Sequence, residues 1–201
     1  MTAFSRTLQF AAVLTALSIS ATALSACDDE KSATGSQGGS SIQQQGIASP
    51  SDIAPLGEAN PTMKTKSVEA PAKLVPVAMR AGTHEGFDRV VIELTGEGTP
   101  GWHVDYTPLP TQQGSGQEMK VNGDTFLNVS IDGTTYPFEL GLQANDLTPV
   151  AGEGPAVAEV ISGGTFEGRS QFIVGLRGER RPYAVSFIED PKRLVIDFNQ
   201  N

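Results

Sequence analysis

A single cysteine, Cys27, stands in 201 residues. That excludes an internal disulfide and a cysteine-built zinc site. Two histidines, His84 and His103, are too few for a zinc hydrolase with paired ligands on one helix, even with Asp88 or Asp105 added. No Gly-x-Ser-x-Gly sequence presents a serine nucleophile on a strained turn. The many acids carry no spacing signature of a glycosidase pair. Catalytic residues, metal and cofactor are all expected to be none. Basic residues are outnumbered, 14 Lys and Arg against 23 Asp and Glu, for a net charge of −9. A chain this acidic excludes nucleic acid as a partner and electrostatic adhesion to anionic lipid. Sustained 3.6-residue apolar periodicity is also missing beyond the first quarter of the chain, which leaves room for one helical turn, near Leu140 to Leu147.

What is present begins with a leader. Arg6 gives a charged start, Phe10 to Leu24 is apolar, and Leu24-Ser25-Ala26-Cys27 closes the segment with small residues before a thiol. This is the pattern of a secretory signal. Thr15, Ser18, Ser20 and Thr22 interrupt the apolar stretch, which falls short of the ~20 residues a stable membrane span needs. The four-residue ending has the form of a bacterial lipobox. It predicts a mature chain starting at Cys27 with a thioether-linked diacylglycerol and an N-acyl chain. Several acyl chains together hold firmly to a bilayer, at ~0.8 kcal/mol per buried methylene. Loss of Arg6 with the leader takes the charge from −9 to −10.

Residues 27–73 are rich in Ser, Gly, Gln and Pro, with runs such as Gly38-Gly39-Ser40-Ser41 and Gln43-Gln44-Gln45. So little apolar surface predicts a disordered tether with a reach of about 35–40 Å. Residues 74–201 read as the folded domain. Val90 to Leu94, Trp102 to Leu109, Phe126 to Ile131, Val157 to Ile161, Gln171 to Val174, Tyr183 to Ile188 and Leu194 to Phe198 alternate or are β-branched, with Gly, Asp and Pro between them. Many short strands predict an all-β fold, a small sandwich of two antiparallel sheets. Ser162-Gly163-Gly164 reads as a hairpin turn. Two strands echo each other. Arg89-Val90-Val91-Ile92-Glu93-Leu94 and Arg193-Leu194-Val195-Ile196-Asp197-Phe198 share arginine, three aliphatics, a carboxylate and an apolar residue. The echo suggests two related halves around a shared core.

His84-Glu85-Gly86-Phe87-Asp88-Arg89-Val90-Val91-Ile92-Glu93-Leu94 resembles the opening of the AMIN-like domain of actinobacterial lipoproteins. Gly101-Trp102-His103-Val104-Asp105-Tyr106, Phe166-Glu167-Gly168, Arg180-Arg181-Pro182-Tyr183 and Pro191 to Phe198 are similar to that family's later strands. The resemblance covers essentially the whole folded part. It implies a β-sandwich targeting module of the cell envelope, and AMIN domains as a class stand beside amidases and secretins, several of them associated with peptidoglycan. Neither kind of attached domain is legible here.

Five residues stand out as candidate ligand contacts. Arg177, Arg180 and Arg181 form the one basic cluster, with Arg169 nearby in sequence. A guanidinium fork suits a carboxylate or phosphate; the same residues also read as a solvated hairpin tip. Trp102 and Tyr106 read either as an apolar platform for a sugar or as core. Asp88, Arg89, Arg193 and Asp197 read as structural ion pairs that pin strand register. The expected function is a non-enzymatic lipoprotein whose sandwich binds a cell-wall component, peptidoglycan or an associated polymer. The alternative is an adaptor that recruits an envelope enzyme or transporter. A hydrolase would require a deep pocket with converging acids or histidines.

Overall fold

Alternation of apolar and polar residues sets the architecture, because successive strand side chains point to opposite faces. The computed structural model describes residues 54–144 and 147–201. Among the described residues ten strands run in chain order: β1 (Lys64–Lys66), β2 (Glu69–His84), β3 (Phe87–Thr99), β4 (Gly101–Thr107), β5 (Thr125–Asp132), β6 (Val150–Ala151), β7 (Val157–Phe166), β8 (Arg169–Leu176), β9 (Tyr183–Ile188) and β10 (Arg193–Asn199). They form an antiparallel six-stranded sheet ordered β1-β4-β5-β8-β7-β6 and an antiparallel four-stranded sheet ordered β2-β3-β10-β9. The inward residues of both meet in one core. Val90, Ile92 and Leu94 of β3 and Leu194, Ile196 and Phe198 of β10 join Trp102, Val104, Leu127, Val129 and Phe172 there. Tyr183 of β9 crosses the core and donates its hydroxyl to the Val104 carbonyl of β4 at 2.8 Å, tying one sheet to the other.

The expected sandwich of two antiparallel sheets is therefore what the chain forms, with five departures in detail. The tether boundary at residue 73 moves. Residues 64–66 are β1, on the edge of the six-stranded sheet, and β2 already begins at Glu69. The Leu56 N–H donates to Asp197 at 2.6 Å, and Asn60 bridges to Tyr183. Residues 54–60 thus strap the outer face of the four-stranded sheet, which is why β10 is buried on both faces from Leu194 to Phe198. The leader, Cys27 and the tether up to residue 53 lie outside the described residues.

Second, the two echoing strands are not two halves. They are antiparallel neighbours, β3 and β10, with Arg89 opposite Asp197 and Glu93 opposite Arg193. Two copies of one charge pattern, run against each other, place each arginine across from a carboxylate. Third, Ser162 to Gly164 lie inside β7 at a register shift. The turn of that hairpin is Glu167-Gly168, both at positive φ. Fourth, the helical turn among the described residues is Pro137–Leu140, just ahead of the expected stretch. The sixteen-residue β2 was not expected as a strand, because Pro71 and Pro76 mask its pattern. It is an edge strand, where a missing N–H is tolerated.

Candidate functional site

On β4, Trp102, Val104 and Tyr106 point into the core, so strand parity sends His103, Asp105 and Thr107 outward. On β5 the outward set is Asn128, Ser130 and Asp132, and on β8 it includes Arg169 and Gln171. Register lines these up: His103 lies across from Ser130 and Ser130 across from Gln171, while Asp105 lies across from Asn128 and Asp132 across from Arg169. The result is a polar floor three strands wide on the outer face of the six-stranded sheet.

The 108–124 segment roofs part of that floor. Gln171 is buried, and its amide does the holding. It donates to the Thr111 carbonyl at 2.9 Å and to Asn128 Oδ1 at 2.8 Å, and it accepts the Gln113 N–H at 2.8 Å. Gln113 in turn donates to the Arg169 carbonyl at 2.8 Å. The segment closes on itself through Gln112 N–H to the Gln117 carbonyl and Met119 N–H to the Pro110 carbonyl. Between floor and roof lies a trough of about 380 Å³. At one end, Arg169 Nε bonds Asp132 at 2.6 Å while about half of the arginine side chain stays exposed. Towards the other, Asp105 accepts the Tyr106 N–H through Oδ1 at 2.8 Å and keeps its second oxygen. Asn128 donates to Ser130 Oγ at 3.2 Å. Amide, hydroxyl and single opposed charges suit recognition. No two carboxylates converge here, as an acid–base pair would need.

Of the five candidate ligand contacts, Tyr106 borders the trough and the other four do not line it. Trp102 is 9% exposed and belongs to the core; its alternation with His103 decides this, and no open ring face is left as a platform. Tyr106 is 8% exposed. Its ring meets Tyr183 edge to face at 5.7 Å, and its hydroxyl donates to the Arg181 carbonyl at 2.7 Å and accepts the Arg181 N–H at 2.9 Å. Burial pushes the Tyr106 phenol up; the Arg181 backbone and the charges of Arg180 and Arg181 partly offset it. Tyr106→Phe should therefore cost about 1–2 kcal/mol, since two backbone groups lose their partner, read as a lower urea midpoint.

The arginines separate by role. Arg177 donates to the carbonyls of Gly154, Val157 and Gly152, fixing the 152–157 turn from within. Arg181 donates to the carbonyls of Gln200 and Arg177. Arg180 is exposed, with its guanidinium 5.2 Å from the Tyr106 ring centroid. The structure thus brings Tyr106, Arg180 and Arg181 together and leaves Trp102 apart. The expected hairpin tip is a crossover, because β8 and β9 belong to different sheets. Arg169 does not join this cluster. It opens β8 while Arg177 follows its end, roughly 26 Å away at ~3.3 Å per residue.

The four ion-pair candidates also divide. Arg89 and Asp197 pair through Nε at 2.7 Å and a second nitrogen at 2.8 Å. Asp88 instead accepts N–H groups from Ala156 and Val157, each at 2.8 Å, and the Gln200 amide at 3.0 Å. Arg193 donates to the Pro191 carbonyl, and its cross-strand neighbour Glu93 pairs with Arg80 at 2.6 Å. The trough residues were visible as the polar half of each alternating strand, but the strand order that assembles them was not.

The model of one protein family, the AMIN-like domain, matches residues 74–200. Comparison with curated proteins and with solved structures gave no match.

Proposed function

The chain belongs to the AMIN-like domain family, and from that membership we propose that it is an envelope lipoprotein whose sandwich is a non-catalytic binding module for the cell wall. Cys27 is its lipidation site, and the Ser-, Gly- and Gln-rich sequence that follows it serves as the tether. The observation that carries the binding role is the roofed polar trough on the six-stranded sheet. It offers donors and acceptors held in place before any ligand arrives, which lowers the ordering cost of binding. The net charge of −9 opposes general adhesion to anionic wall polymers, so attachment has to be local and specific. Arg177 and Arg181 of the arginine turn are committed to internal bonds, while Arg180 lies exposed over the Tyr106 ring.

Two measurements test this. Full-length protein in mild detergent should sediment with purified wall sacculi well above an acidic control protein of similar size; equal sedimentation removes the wall-binding role. In producing cells, an alkyne fatty acid should label the protein and Cys27→Ser should move it to the soluble fraction. Absence of label, or an unchanged membrane fraction, removes the anchor.

One surface favours an adaptor as a second reading. Tyr136 and Phe138 are exposed and stack at 5.5 Å beside exposed Leu142, next to a groove of about 430 Å³. Exposed apolar clusters of this kind mark protein contacts. A single dominant protein crosslinked in native membranes, lost in Phe138→Ser, would support it.

A further inference from the structure

The trough's two charges stand at a spacing that a peptide matches. Arg169 lies across from Asp132 on β5, and Asp105 lies across from Asn128, four residues further along the same strand. At ~3.3 Å per residue that is about 13 Å along the strand. The two side chains sit on β8 and β4, on either side of β5, so they are also two inter-strand steps apart, about 10 Å. The diagonal is roughly 16 Å, the length of about five residues of extended chain.

Between these ends the wall is made of groups that pair with backbone amides. Asn128, Ser130 and His103 face the trough from below, and Gln113 reaches it from the roof. No phenyl or indole plane faces the trough for the apolar side of a pyranose ring: of its two lining rings among the described residues, Tyr106 is turned into the core with its hydroxyl occupied, and His103 is a polar imidazole. Arg169 uses Nε for Asp132, and a guanidinium carries five donors, leaving its other edge for a carboxylate. Asp105 keeps one oxygen for an ammonium.

We infer that the trough takes an extended peptide of four to five residues carrying a carboxylate at the Arg169 end and an ammonium at the Asp105 end, and that its source is the peptide portion of the wall polymer rather than the glycan. This rests on the wall-binding reading above and specifies which part of the polymer is held. Gln171 is a positioning residue in this scheme, since it holds the roof through Thr111 and Gln113 and reaches the floor at Asn128.

The test compares two probes on the full chain. One is disaccharide-peptide released from sacculi by a glycan-cleaving enzyme; the other is glycan stripped of peptide by an amidase. The peptide-bearing probe should bind and the stripped glycan should not. Arg169→Gln and Asp105→Asn should each weaken binding at least about tenfold, the size expected for a lost charged hydrogen bond. Raising salt to about 1 M should weaken the parent chain more than either variant. The urea midpoint separates recognition from support: about half of the Arg169 side chain is exposed, so Arg169→Gln should keep the parent's midpoint while it loses binding. If the midpoint falls together with binding, the arginine acts on the fold and the inference falls. Equal binding of both probes, with sacculi still retained, overturns the peptide assignment and leaves the wall-binding reading standing. No retention on sacculi at all removes both.

Discussion

Asp88→Ala is expected to destabilise the domain by about 3–5 kcal/mol, seen as a large drop in the urea midpoint. The carboxylate is 1% exposed. It accepts the N–H groups of Ala156 and Val157 and the Gln200 amide, so one side chain of β3 holds both the turn before β7 and the end of the chain. Alanine leaves two buried N–H groups without an acceptor, each costing about 1–3 kcal/mol. A cavity term adds to this, because Gly154 packs so closely that a Cβ there would overlap the Asp88 carboxylate. Asp88→Asn retains one acceptor oxygen and should cost clearly less. Acid adds a second signature. Burial alone pushes the Asp88 carboxyl up, but the bonds from Val157, Gln200, Thr83 and Ala156 outweigh it and hold it below the ordinary carboxylate range. A group whose folded pKa is depressed contributes fully above its unfolded value of about 4, and that contribution is lost as pH falls through the folded value. The stability gap between the parent chain and Asp88→Asn should therefore narrow below about pH 4. A gap that stays constant down to acid unfolding would contradict this assignment.

Arg89→Ala should cost about 2–4 kcal/mol. Asp197 is 1% exposed and Arg89 17%. Removing the guanidinium leaves a buried charge that retains the Leu56 N–H but loses both arginine bonds. The loss is kept to the lower part of the range by the partial water access of the arginine. Replacing both partners with apolar side chains, Arg89→Met with Asp197→Leu, should restore much of it, since two matched apolar groups avoid the stranded charge. The strap supplies an independent readout. Arg89 also donates to the Ala54 carbonyl at 3.1 Å, so amide exchange at Leu56 should accelerate in Arg89→Ala. Unchanged exchange together with unchanged stability would mean that the pair neither holds the strap nor pins β3 to β10.

The sandwich was legible because its strands carry the signal locally: β5 and β10 alternate or run aliphatic, and turns sit where Gly and Asp do. The beginning of the domain was hidden. Lys64 to Lys66 form a strand only by pairing with β4, and nothing in three polar residues reports a partner about forty positions away. The strap was hidden for the same reason, since Leu56 is held by Asp197, 141 residues away. The Arg89 and Asp197 pairing could be read from their echoing strands, yet the echo was ambiguous between duplication and direct apposition, and only the register resolves it. At the site, composition drew attention to the arginines of the β8–β9 crossover. Their number said nothing of the backbone carbonyls that occupy Arg177 and Arg181. The trough depends on three strands lying side by side, which is a property of topology and not of any short motif.

The strap lies against the back of the four-stranded sheet, and the trough opens on the outer face of the other sheet. Ala54 therefore lies on the side away from the trough. Load applied there reaches Leu56 and Asn60 before it strains a core strand, and the proposed binding face stays clear of it.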